Sequence, residues 1–122
     1  MRVLVVDDYA TMRRIIRNLL IQIGITYVEE ASDGITALQR LRESKYNLVI
    51  SDENMEPMTG LQLLKEIRND SKLQGTLFIM VTAESSTGNV IAAKQAGVSN
   101  YLMKPFNAEV LKKKIESVFG QV

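Results

Sequence analysis

The chain has 122 residues, 15 Lys and Arg against 14 Asp and Glu for a net charge of +1, and neither Cys nor His. That length is one ordinary domain with a full core and no room for a second, and the near-zero charge gives no reason to expect nucleic acid or a membrane as partner. Thiol nucleophiles, imidazole bases and zinc sites built on Cys or His are excluded, so carboxylates, hydroxyls, amides and Lys must carry any chemistry, and any metal must be a hard, oxygen-bound cation such as Mg²⁺ or Mn²⁺.

Residues 2–6 read as the first strand, a short Val-rich run that stops at Asp7 and Asp8. From Met12 the apolar positions Met12, Ile15, Ile16, Leu19, Leu20 and Ile23 recur at helical spacing until Gly24, which predicts an amphipathic helix with a glycine stop. Arg13, Arg14 and Arg17 fall on its other face. They would suit an acidic partner, but such a run is ordinarily a solvated face. Residues 26–31 alternate weakly, and Glu29 and Glu30 mark them as an edge strand.

Asp33 is placed to cap a second helix with Ala37, Leu38 and Leu41 inward. Residues 47–52 form another apolar run that ends on a carboxylate, Asp52. Thr59 and Gln62 fit a capping box ahead of the stripe Leu63, Leu64 and Ile67. Residues 77–82 read as the fourth strand, ending at Thr82. The helix expected at 87–96, stopped by Gly97, offers Val90, Ile91, Ala92, Ala93 and Ala96, so it buries little area and should be less firmly anchored than the others. Residues 99–103 are the fifth strand, followed by Lys104. Asn107 caps a last helix with Leu111, Ile115, Val118 and Phe119 inward and Lys112 to Lys114 outward.

Alternating strands and helices predict a doubly wound, three-layer α/β fold of five β/α units. Buried parallel strands present their C-terminal ends on one edge, where open sheets of this kind bind ligands. Asp7, Asp8, Asp52, Thr82 and Lys104 therefore should converge. Taken singly, the acidic pair would merely cap a helix, Lys104 would be a surface residue and Thr82 a β-branched strand end; their coincidence at matching strand ends argues for a site. Three gathered carboxylates repel, and a divalent cation on Asp8 and Asp52, with Asp7 in the outer shell, would relieve them. Asp52 is then equipped to attack phosphorus and form an acyl phosphate, with Lys104 countering charge and Thr82 offering its hydroxyl to a phosphoryl oxygen.

The stretches Val6-Asp7-Asp8-Tyr9-Ala10-Thr11-Met12-Arg13-Arg14, Glu30-Ala31-Ser32-Asp33-Gly34, Ile50-Ser51-Asp52-Glu53-Asn54-Met55, Val81-Thr82-Ala83-Glu84 and Tyr101-Leu102-Met103-Lys104-Pro105-Phe106 together resemble a receiver domain of two-component signalling, and more narrowly the single-domain, CheY-like chemotaxis regulators. The resemblance implies a flavodoxin-like strand order 2-1-3-4-5 and one receiver domain over 1–122 with no output domain. It implies that Asp52 accepts phosphate from a histidine kinase, that Asp7, Asp8, Asp52 and the backbone carbonyl of Asn54 hold Mg²⁺, and that Lys104 contacts the phosphoryl group. Thr82 and Tyr101 would form a switch, and Asn54 and Glu84 would tune how fast water removes the phosphate. It further implies a cis Lys104–Pro105 bond and a monomer that catalyses only its own phosphorylation and dephosphorylation; a first strand beginning by Val3, with no room for a signal peptide, and the lack of any apolar run of membrane-spanning length make the expected location cytoplasmic. Its target, the flagellar motor switch among the candidates, would dock on the face near Tyr101 and Lys112.

The stretch Met55-Glu56-Pro57-Met58-Thr59-Gly60 departs from the family's Met-Pro-x-Met-Asp-Gly, so the loop beside the metal is expected to take its own path. Three other readings stand beside this one. A receiver in a phosphorelay other than chemotaxis shares every motif. A haloacid-dehalogenase-like phosphohydrolase would place Asp-x-Asp on the first strand, where this chain has Asp7-Asp8. A flavin carrier would place its hydroxyl-rich loop after the first strand, whereas Ser85-Ser86-Thr87-Gly88-Asn89 follows the fourth.

Overall fold

The computed structural model describes residues 1–83 and 87–119. Strands and helices alternate: β1 (Arg2–Val6), α1 (Ala10–Gln22), β2 (Tyr27–Ala31), α2 (Gly34–Glu43), β3 (Leu48–Asp52), α3 (Gly60–Asn69), β4 (Leu77–Thr82), α4 (Thr87–Gln95), β5 (Asn100–Met103) and α5 (Ala108–Phe119). The strands form one parallel sheet in the order β2-β1-β3-β4-β5, so β3 is central and β2, with its two glutamates, is an edge. Among the described residues no helix is long and apolar enough to cross a membrane.

Successive strand side chains face opposite sides of the sheet, and the two sides make two cores. Val3 and Val5 of β1 join Leu48, Ile50, Ile79, Val81 and Leu102 in a layer closed by Ile16 and Leu20 of α1 and Leu111 and Ile115 of α5. Leu4 and Val6 join Val49, Phe78 and Met80 in the other layer, closed by Leu38 and Leu41 of α2 and Leu63, Leu64 and Ile67 of α3. This is the three-layer, doubly wound arrangement expected from the alternation of runs.

Local signals set the helix ends. Asp33 accepts from the Thr36 N–H at 2.7 Å, Asn107 from the Val110 N–H at 2.9 Å, and Thr59 and Gln62 exchange both hydrogen bonds of a capping box. Gly24 and Gly97, the two stops, adopt φ of +97° and +91°. The neighbours of two strands account for small shifts of their starts. Asn47 and Ser99 precede β3 and β5 rather than beginning them: each donates its N–H to the neighbouring strand, Asn47 to the Arg2 carbonyl and Ser99 to the Phe78 carbonyl, both at 2.9 Å, but the return bond runs to its side chain, Asn47 Oδ1 accepting from the Arg2 N–H at 2.8 Å and Ser99 Oγ from the Phe78 N–H at 3.0 Å.

Two expectations for α1 are corrected. Ile15 is 45% exposed rather than inward; it lies about 100° round the helix from Ile16, outside the stripe that meets the sheet. Arg13 and Arg17 are not a free solvated face. On the opposite flank of the stripe they turn toward β2 and share one partner, with Arg13 Nε to Glu30 Oε1 at 3.0 Å and Arg17 Nη1 to Glu30 Oε2 at 3.1 Å. As expected, α4 is weakly seated: among its described side chains only Ala93 is buried.

Candidate functional site

β1 ends by passing Asp7 into the edge of the sheet, where its N–H donates to the Ala31 carbonyl at 3.2 Å. Asp7 is 2% exposed. Its Oδ1 accepts from the Tyr9 N–H at 2.9 Å, while Oδ2 is buried without a hydrogen-bond partner. α1 starts at Ala10 with Tyr9 in the N-cap position and no side-chain cap, so neither aspartate serves as the helix cap. Asp8 is exposed.

β3 delivers Asp52 as its last residue, buried, with Oδ1 accepting from Lys104 Nζ at 2.9 Å. Lys104 is aimed there by the end of β5, since its N–H donates to the Thr82 carbonyl at 2.8 Å. The Lys104–Pro105 peptide bond is cis, as expected, and so is Glu56–Pro57 in the departing loop. Thr82, buried, closes β4 alongside Met103. Oxygens of Asp7, Asp8 and Asp52 lie within 4.8 Å of one another.

Burial is the main cause that lifts the Asp7 carboxyl from 3.8 to about 6, with the charges of Asp52 and Asp8 adding to it; the Tyr9 N–H and Lys104 oppose the shift. A buried, unpartnered carboxylate oxygen facing two more carboxylates is the environment that a hard divalent cation satisfies, so these residues fit Mg²⁺ or Mn²⁺. The loop after Asp52 closes tightly against the backbone at the end of β3. The Gly60 N–H donates to the Glu53 carbonyl at 3.0 Å, and a Cβ at Gly60 would stand 2.3 Å from the Asp52 carbonyl oxygen. No other side chain fits there without moving the loop.

The structure thus brings together Asp7, Asp8, Asp52 and Lys104, with Thr82 at the neighbouring strand end. Asn54 is exposed in the loop after Asp52, and Glu84, like Ser85 and Ser86 of the hydroxyl-rich stretch, lies outside the described residues. Tyr101 sits on β5, half-buried, its hydroxyl donating to the Asn89 carbonyl of α4 at 3.2 Å. Burial raises its pKa, with the charge of Glu53 adding to the shift. Lys112 is exposed on α5. Two contributors escaped the motif reading: Gly60, and Arg13, whose Nη1 donates to the Asp7 backbone carbonyl at 2.6 Å. Neither has a local signal, since each acts on a residue that the fold alone brings near. A groove of about 1060 Å³ runs along the opposite ends of the strands, lined by residues such as Tyr46, Leu73 and Phe119, and contains none of the converging groups.

Residues 3–116 match the family model of the response regulator receiver domain. The chain is 48% identical to the chemotaxis protein CheY of Pseudomonas aeruginosa, over all of this chain and 98% of that protein. Its fold matches the crystallised chemotaxis protein CheY4 of Vibrio cholerae with a TM-score of 0.90 at 36% identity, covering 96% of this chain and 97% of that one. It also matches the receiver domain of a sensor histidine kinase from Pseudomonas aeruginosa, solved with a magnesium ion coordinated in the active-site cleft, with a TM-score of 0.87 at 26% identity over 98% and 97% of the two chains. The ordered carboxylates, the lysine on Asp52 and a family match spanning nearly the whole sequence lead to one assignment: the chain belongs to the response regulator receiver domain family.

Proposed function

We propose that this receiver is the phosphoacceptor of a chemotaxis phosphorelay and that phosphorylation of Asp52 switches a protein-binding face. The observation that carries the reading is the meeting of Asp7, Asp8 and Asp52 with Lys104 Nζ already 2.9 Å from Asp52 Oδ1. In the reaction a carboxylate oxygen of Asp52 attacks phosphorus, the bond from phosphorus to the histidine nitrogen of the kinase breaks, and an acyl phosphate remains. Lys104 offsets the charge of the transferring group, and burial of Asp52 keeps the nucleophile fixed and only partly hydrated. Asp7, Asp8, Asp52 and the Asn54 carbonyl would hold Mg²⁺ or Mn²⁺, which supplies charge neutralisation when bound. Asn54 and Glu84 tune the later attack of water on the acyl phosphate.

The relatives named for chemotaxis favour that pathway over another phosphorelay, and a pull-down from the native cell with phosphorylated and unphosphorylated chain distinguishes the two by the target captured. The direct test is incubation with acetyl phosphate and Mg²⁺ followed by intact-mass measurement. A signalling switch takes up one phosphoryl group per chain. Repeated cleavage of a phosphoester, many turnovers per chain, would instead make it a phosphohydrolase.

The target would bind as to a monomer, on the side formed by α4, β5 and α5, contacting Tyr101 and the exposed surface of α5 near Lys112. Tyr101 supports this reading because its hydroxyl bonds the weakly seated α4 to β5. Thr82 and Tyr101 lie on adjacent paired strands, so a displacement of the Thr82 hydroxyl toward a phosphoryl group changes the packing room of the ring. Thr82→Ala should therefore leave labelling of Asp52 nearly intact while removing most of the gain in target affinity that phosphorylation gives. Calorimetry with the captured target checks this, and an undiminished gain would disprove the coupling.

A further inference from the structure

We infer that Arg13 is a positioning residue for the acidic site, acting on the peptide that joins Asp7 to Asp8; the inference rests on Asp7 and Asp8 being cation ligands. The Asp7 carbonyl belongs to that peptide, and Arg13 Nη1 donates to it at 2.6 Å. The peptide N–H at the other side of Asp7 donates to the Ala31 carbonyl of β2 at 3.2 Å. The same guanidinium is anchored to β2 through Glu30, the residue before Ala31, at 3.0 Å. The backbone of Asp7 is thus held on both sides by one strand, once directly and once through Arg13. Rotation of the Asp7–Asp8 peptide would swing the two carboxylates relative to Asp52, so the clamp fixes their mutual geometry.

Charge makes the role testable by sign. A guanidinium bonded to the backbone between two of the three carboxylates adds positive charge near a cation site, so by electrostatics alone its removal should leave Mg²⁺ binding unchanged or tighten it. If Arg13 positions the carboxylates, removal should weaken it, as losing support of a ligand commonly does by roughly 10–100-fold. Arg17 supplies the control: it pairs with the same Glu30 at 3.1 Å, and no hydrogen bond from it to Asp7 is among those described.

The experiment is calorimetric titration of Mg²⁺ into the phosphate-free wild type, Arg13→Met, Arg13→Lys and Arg17→Met, with urea denaturation of each in the absence of metal. The expected result is binding about tenfold weaker for Arg13→Met, weaker also for Arg13→Lys, whose single ammonium lacks the fork that reaches two acceptors, and unchanged or tighter for Arg17→Met. The Lys variant decides the question should Arg13→Met fail to fold. Binding by the Arg13 variants as tight as wild type, even with lowered stability, would overturn the positioning role and leave a structural one. Absence of Mg²⁺ binding in the wild type would overturn the reading of the site itself.

Discussion

Asp52→Asn is expected to abolish labelling by acetyl phosphate altogether while leaving the fold in place. The amide is nearly the same shape as the carboxylate, and its oxygen can still accept from Lys104 Nζ, which now approaches Asp52 Oδ1 to 2.9 Å. What it lacks is the nucleophilic charge, and without that no acyl phosphate forms. The substitution removes a negative charge that helps to raise the Asp7 pKa but also the charge paired with Lys104, two effects of opposite sign, so the metal-free variant should stay folded with a stability close to that of wild type. Intact-mass measurement after labelling, with urea denaturation of the same sample, checks both halves. Stoichiometric labelling of the variant would move the acceptor elsewhere.

Asp7→Asn should stabilise the metal-free protein by about 2–3 kcal/mol at pH 7, the free energy of a shift of roughly two pKa units. Folded Asp7 holds its proton up to about pH 6, whereas its unfolded value is 3.8. Between those values the folded state carries the extra proton, so the contribution of Asp7 to stability is full below about pH 4 and falls as pH rises to 6. Above that, an ionised Asp7 costs folding energy that the neutral amide avoids. Asp33 works in the opposite sense: the Thr36 N–H lowers its pKa, and its contribution is lost as pH falls. The useful quantity is therefore the difference between variant and wild type in urea denaturation with chelator, which cancels Asp33. That difference should be near zero at pH 4 and reach its full value by pH 7. A variant less stable than wild type at pH 7 would show that Asp7 is not held against its charge.

The sheet and most of the site could be read from the sequence because both rest on local patterns. Val and Ile runs ending at Asp7, Asp52 and Thr82 specify parallel strands and place those groups on one edge, and Asp33, Thr59, Gln62 and Asn107 announce the helix starts. The reading was weaker where a side chain is claimed by a residue distant in sequence. Charge patterning sees Arg13 and Arg17 as exposed because it cannot know that β2 brings Glu30 against α1. Ile15 stays exposed for a related reason: hydrophobicity alone does not say how wide a stripe the sheet can cover. Gly60 is required by one backbone oxygen of another element, a constraint with no trace in its neighbours.

Arg68 at the end of α3 meets no carboxylate within pairing distance among the described ion pairs; instead its guanidinium donates to three backbone carbonyls, Gly97 at 2.9 Å, Thr76 at 2.6 Å and Gln74 at 3.0 Å, and its burial lowers its pKa. It therefore nails the turn that follows α4 to the body of the domain. A helix with so little apolar grip, pinned just beyond its C-terminal end, would pivot about that end as a lever does. From Gln95, where α4 ends, to Asn89 is about 9 Å of helix, so a tilt of only about 10° at that end carries the Asn89 carbonyl about 1.5 Å. That travel is enough to make or break its 3.2 Å bond with the Tyr101 hydroxyl.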